Sequence, residues 1–126
     1  MMGTDAANSA GQAAEAIRAV NHATIATVGY GPNDVYDVVA ELVVLTERLP
    51  QAFGQLARIL EQLGTQGQVG FDPGSPFANR ADDGVIELDA VFSRASASAD
   101  ELRYALADGQ RILSAAHSVD PLDTVP

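Results

Sequence analysis

A chain of 126 residues with 47% hydrophobic content is long enough for one domain with a real core, and too apolar for disorder throughout. The net charge of −10 repels phosphate backbones, and the seven Arg are scattered, so no nucleic-acid partner is expected. Neither Cys nor Lys occurs, which excludes disulfides, thiolate metal sites, a Schiff-base lysine and a Walker lysine.

Aromatic residues make up only 6% and Trp is absent, so the core must be Ala, Val and Leu. That composition favours closely approaching helices over an aromatic-filled sandwich. No apolar run approaches the roughly 18 residues of a membrane span. The start, "MMGTDAANSAGQAAEA", has neither a basic region nor an apolar stretch, so no signal peptide is expected and the location is expected to be cytoplasmic.

The first expected helix covers 5–22, with Asp5 as its cap. Ala6, Ala10, Ala13, Ile17, Val20 and Thr24 alternate steps of four and three, which keeps them on one face. The stripe is mostly alanine, so this helix depends on its neighbours.

A β-branched run, "TIATV", then leads into Gly29-Tyr30-Gly31 and a second helix. Strand, glycine turn and helix also begin a dinucleotide-binding unit. That fingerprint needs G-x-G-x-x-G, and Asp34 stands where the third glycine belongs. Its carboxylate would occupy the place of a pyrophosphate. The glycines are therefore expected only to separate two helices.

The second helix is expected to begin near Asp34, with Asn33 or Asp34 as N-cap. Its stripe runs Val35, Val38, Leu42, Leu45, Leu49, Phe53, Leu56, Leu60, Leu63. Pro50 interrupts it, and predicts a kink or a break of one or two residues. Residues 64–84, with five Gly and two Pro, read as a long loop tacked down by Phe71 and Phe77. A third helix follows over 85–117. Its seam is Leu88, Phe92, Ala95, Ala99, Leu102, Leu106, Gly109, Leu113 and Ala116, an unbroken four-three repeat. Leu102 and Leu106 are expected to be buried at its centre, with Arg103 on the exposed face. The tail over 118–126 is expected to fray beyond Pro121.

The fold class is thus all-α: a single domain over 1–126, an antiparallel three-helix bundle with long coiled-coil-like helices. A split at Pro50 would make four.

Few residues carry chemistry. With Gly84 at position six of a calcium loop, position three is Ala81 and position twelve is Ala90, so two ligand positions fail. The acids around it suit a helix start. His22 and His117 are the only histidines, each expected at a helix C-terminus, and no nucleophile–base spacing accompanies them. No catalytic residue, cofactor or metal ligand is expected. Tyr30 and Tyr36 flank a helix start and Tyr104 lies on the third helix, where tyrosines serve binding surfaces or cover a bundle end.

The strings "RAVNHATI", "DVYDVVAEL" and "RLPQAFGQLARILEQL" resemble segments of small helical proteins of unknown function from streptomycete-type actinobacteria. The resemblance covers about the first half of the chain and carries no catalytic motif, so it assigns no site residue. WXG-type helical hairpins are set apart by the missing Trp and by Phe53-Gly54 falling inside a helix.

The function expected is that of a non-enzymatic helical interaction protein, partnered by another copy or another protein. The two long seams, with only an alanine-rich helix to cover them, leave apolar surface for a second copy. The candidate surface comprises Tyr30, Tyr36, Phe71, Phe77, Leu102 and Leu106. One alternative is an acidic regulator of a basic protein surface, since residues 67–126 carry ten acids against four Arg. Another is a small-molecule-binding or enzymatic bundle using His22 and Tyr36.

Overall fold

A computed structural model of the chain describes residues 2–119. The fold is all-α, and no strand occurs among the described residues, so "TIATV" is not one. The helices are α1, Met2–Ala23, α2, Pro32–Thr65, and α3, Ala81–Leu113. The chain divides between Tyr30 and Gly31 into two compact units.

In the first unit, α1 begins before Asp5, which lies inside the first turn and so does not act as the cap. Ile17 and Val20 are its half-buried side chains. After Ala23 the helix stops on two side chains. The Thr24 hydroxyl donates to the Val20 carbonyl at 2.8 Å, and the Tyr30 hydroxyl donates to the Ala23 carbonyl at 2.8 Å. The Tyr30 hydroxyl satisfies a carbonyl that a helix end leaves without a partner, while the Val20 carbonyl also accepts from the Thr24 N–H at 3.0 Å. Gly29, at φ +94°, takes the left-handed turn that brings Tyr30 round.

The second unit opens two residues earlier than the expected helix start. Gly31 is the N-cap and Pro32 the first helical residue, where a missing N–H costs nothing. The Asp34 carboxylate accepts from the Gly31 N–H at 2.8 Å, while the Asp34 N–H donates to the Gly31 carbonyl at 3.1 Å. Asp34 is thus the third residue of the helix, and neither it nor Asn33 is the cap.

Helix α2 runs unbroken through Pro50, which removes the break and the four-helix alternative. Proline in a helix interior costs about 3 kcal/mol, so the packing on either side of it outweighs that loss. The local weakness remains, because Pro50 cannot donate to the Thr46 carbonyl. The amides of Arg48, Leu49 and Gln51 are expected to exchange with deuterium faster than those near Leu42 or Ala57, and Pro50→Ala should even out the profile. Uniform protection along wild-type α2 would contradict this.

Helix α2 ends in a Schellman motif. Gly67 has φ +70°, its N–H bonds the Gly64 carbonyl at 3.0 Å, and the Gln68 N–H bonds the Leu63 carbonyl at 2.8 Å. The loop is therefore only 66–80, shorter at both ends than 64–84. It is a chain of turns, with Ser75 N–H to the Asp72 carbonyl at 2.9 Å and Arg80 N–H to the Phe77 carbonyl at 2.8 Å. The Phe71 and Phe77 rings sit 5.6 Å apart. The Phe71 ring edge lies directly on Gly84, which is buried.

Helix α3 starts four residues before 85 and ends four before 117. Asp82 and Asp83 lie in its first turn, where Arg80 pairs with Asp83 at 3.0 Å. At the other end the Ser114 hydroxyl bonds the Arg111 carbonyl at 2.6 Å, and tight turns at Ala115 and Ala116 unwind the helix. Ala116 and His117 therefore lie beyond it. Of the expected frayed tail, 120–126 lies outside the described residues.

Helices α2 and α3 pack as an antiparallel pair. Tyr36 meets Gln110, Phe53 stacks on Phe92 with ring centroids 6.4 Å apart, and Gly64 meets Val85. The residues most buried between them are small: Val43, Thr46 and Ala57 on α2, Gly84 and Ala99 on α3. Thr46 is 2% exposed, and its hydroxyl donates to the Val43 carbonyl at 2.8 Å. No buried side-chain polar atom among the described residues lacks a partner.

Candidate interaction surface

The expected leucine stripe coincides with the line along which α2 meets α3 only at Phe53 and Leu60. None of Val43, Thr46 and Ala57 belongs to it, whereas Val35 and Leu56 from the stripe are exposed. Apolar and small residues on α2 come in adjacent pairs along two parallel heptad lines. One runs Val43, Thr46, Pro50, Phe53, Ala57, Leu60, Gly64 and includes every α2 residue that is buried. The other lies one residue earlier throughout, at Leu42, Leu45, Leu49, Ala52, Leu56, Ile59 and Leu63, with Val38 extending it. Small side chains allow close helix approach, so the small line took the contact and the leucine line became its flank.

Helix α3 behaves similarly. Ala99 is buried, Phe92 and Leu113 are half-buried, and Leu106, expected to be buried at the seam's centre, is only half-buried. Leu102 is not at a buried centre, being 51% exposed. Arg103 is half-buried instead of exposed, with its guanidinium 4.5 Å from the centre of the Tyr104 ring. The contact side is rotated toward Ser96, Arg103 and Gln110. A second four-three line then lies free on α3: Leu88, Val91, Ala95, Ser98, Leu102, Ala105, Gly109, Ile112. Of its large members, Val91, Leu102 and Ile112 are exposed and Leu88 is half-buried.

The two free lines share one side of the pair. At about 100° per residue, each lies about a quarter-turn anticlockwise of its helix's contact line, viewed from that helix's N-terminus. Because the helices run antiparallel, equal rotations put both lines on the same side. Neither line contains a charged residue. The result is one uncharged, two-helix face.

Of the six residues expected to form a surface, the five in the second unit are not gathered into one patch. Tyr36, Leu102 and Leu106 belong to the end of the hairpin where α2 starts. Phe71 and Phe77 pack together at the opposite end, against the start of α3. Tyr30 belongs to the first unit and closes α1. Only Leu102 lies on the free face.

Chemistry elsewhere is sparse. A groove of about 180 Å³ on the other side of the hairpin is lined by Gly54, Ala57, Ser93 and Ser96, with Arg58, Glu61 and Asp89 around it. That is below the roughly 300 Å³ at which small-molecule pockets begin, whereas wide-open hollows of about 340 Å³ beside Arg58, Gln62 and Gln66 and of about 350 Å³ beside Gly64, Asp82 and Ile86 exceed it. The N–H of Gly31, which a phosphate would need, is already bonded to Asp34. His22 and His117 are exposed and belong to different units. No group of three or more His, Asp or Glu able to hold a metal occurs among the described residues. Among the described residues no helix is long and apolar enough to cross a membrane.

The small contact residues were detectable in the sequence as the second heptad line on α2. Their signal is weaker because glycine, alanine and threonine count little in any hydrophobic stripe. Compared with protein-family models, curated proteins and solved structures, the chain matches none of them.

Proposed function

We propose that this chain is a non-enzymatic helical interaction protein that self-associates through packed apolar surface. One observation carries this. The α2–α3 hairpin is held along a narrow line of small residues, so its large aliphatic side chains flank the contact and stay half-covered or exposed. Monomeric proteins rarely leave contiguous apolar patches of this kind without a partner. The acidic surface serves solubility beside such a face, since net charge opposes uncontrolled aggregation.

Light scattering on the full chain should give a mass above 13.1 kDa that falls on dilution. Raising the salt should leave that mass unchanged or increase it, as apolar association requires. A mass fixed at the monomer value at every concentration would contradict self-association. Salt-sensitive capture of a basic protein by such a monomer would favour the acidic-regulator alternative.

A further inference from the structure

The self-association proposed above leaves open which surface is used, and we infer that it is the uncharged α2–α3 face, closed by the same face of a second copy as an antiparallel four-helix bundle. Three observations carry this. The first is size. The free lines span 38–63 and 88–112, each about 37 Å long at about 1.5 Å per residue. Two helices about 10 Å apart make the face roughly 20 Å wide, or about 740 Å². Specific interfaces bury about 800 Å² on each partner.

The second is self-complementarity. The α2 line is mostly large, with Leu42, Leu45 and Leu49 in its first half. The α3 line has small residues where a partner's leucines would fit, at Ala95, Ser98 and Ala105. A two-fold axis parallel to the helices lays the α2 line of one copy on the α3 line of the other, and reciprocally. Heptad spacing on both lines supplies the knobs and the holes.

The third concerns α1, one candidate cover within the chain. Its stripe is alanine apart from Ile17 and Val20, which is too little to fill two heptad lines. A second copy brings a face of matching length and chemistry.

The chain has no Cys, so one introduced thiol is a unique probe. Leu102→Cys places it on the face. Ile86→Cys places it on α3 away from the face, at a residue that is 68% exposed. With a water-soluble maleimide, the Leu102→Cys chain should react at least tenfold more slowly when concentrated than when dilute. The Ile86→Cys chain should react fast in both. In parallel, Leu102→Asp should weaken the dimer about thirtyfold or more while keeping its helical circular dichroism, and Ile86→Asp should not.

Protection at position 102 that persists on dilution would show α1 or another part of the same chain covering the face, and would overturn the inference. Fast reaction at 102 in a chain that still forms dimers would place the interface elsewhere, overturning the inference but not self-association. A wild-type chain that stays monomeric would overturn both.

Discussion

Replacing Ala99 by Asp is expected to separate α2 from α3. Ala99 is 6% exposed, and the register of the Phe53–Phe92 and Tyr36–Gln110 contacts sets it level with Thr46. The Thr46 hydroxyl is already committed to the Val43 carbonyl. A carboxylate introduced here would lose its water, and Arg103, a turn later on the same side of α3, is engaged with the Tyr104 ring. Burying an unpaired charge is among the few single changes that cost more than about 4 kcal/mol, against a total stability of about 5–15 kcal/mol. Ala97→Asp, on the exposed side two residues away, should cost under about 1 kcal/mol from helix propensity alone. Thermal melts by circular dichroism compare the two directly. Equal melting temperatures would mean that α3 does not meet α2 through Ala99.

The second large effect is at Gly84, where a change that ordinarily helps a helix should harm this one. Gly→Ala inside a helix stabilises by about 0.5–1 kcal/mol when nothing obstructs the methyl. At Gly84 the new Cβ would fall inside contact distance of Phe71 Cε2 and Cζ. The ring would have to leave its seat, and Phe77 is packed against that ring. Gly84→Ala should therefore cost about 1–3 kcal/mol, as overpacking does. Phe71→Ala removes the obstruction, so adding Gly84→Ala to it should cost nothing or be slightly stabilising. The double-mutant cycle then shows coupling of more than about 1 kcal/mol. A Gly84→Ala chain that melts higher than wild type would show that the ring does not rest there.

Much of this fold is legible in the sequence. Long four-three stripes and a Gly/Pro-rich interval predict three helices and a loop in the right order. The ends shift by a few residues because capping is decided by atoms the pattern does not weigh. Examples are the Asp34 carboxylate reaching back to Gly31 and Ser114 diverting the Arg111 carbonyl. The contact between α2 and α3 was misplaced for a physical reason. Hydrophobic periodicity scores large residues, while close helix packing selects small ones. On α2 the two lie side by side, so the leucine line dominates the pattern and the Val43–Thr46–Ala57 line makes the contact. The leucines that the α2 stripe places in a core are half-buried in the single chain, and Leu56 is exposed. The four-three repeat of α3 predicts Leu102 at the centre of a buried seam, and it is 51% exposed instead.

The central claim is that two chains close on this face. Sedimentation equilibrium of the wild-type chain and its Leu102→Asp variant, across about two decades of concentration, tests it most directly. The account predicts a reversible dimer, twice the 13.1 kDa chain mass, for wild type, and a folded monomer for Leu102→Asp over the same range. Indistinguishable association of the two chains, or a wild-type monomer throughout, would contradict it.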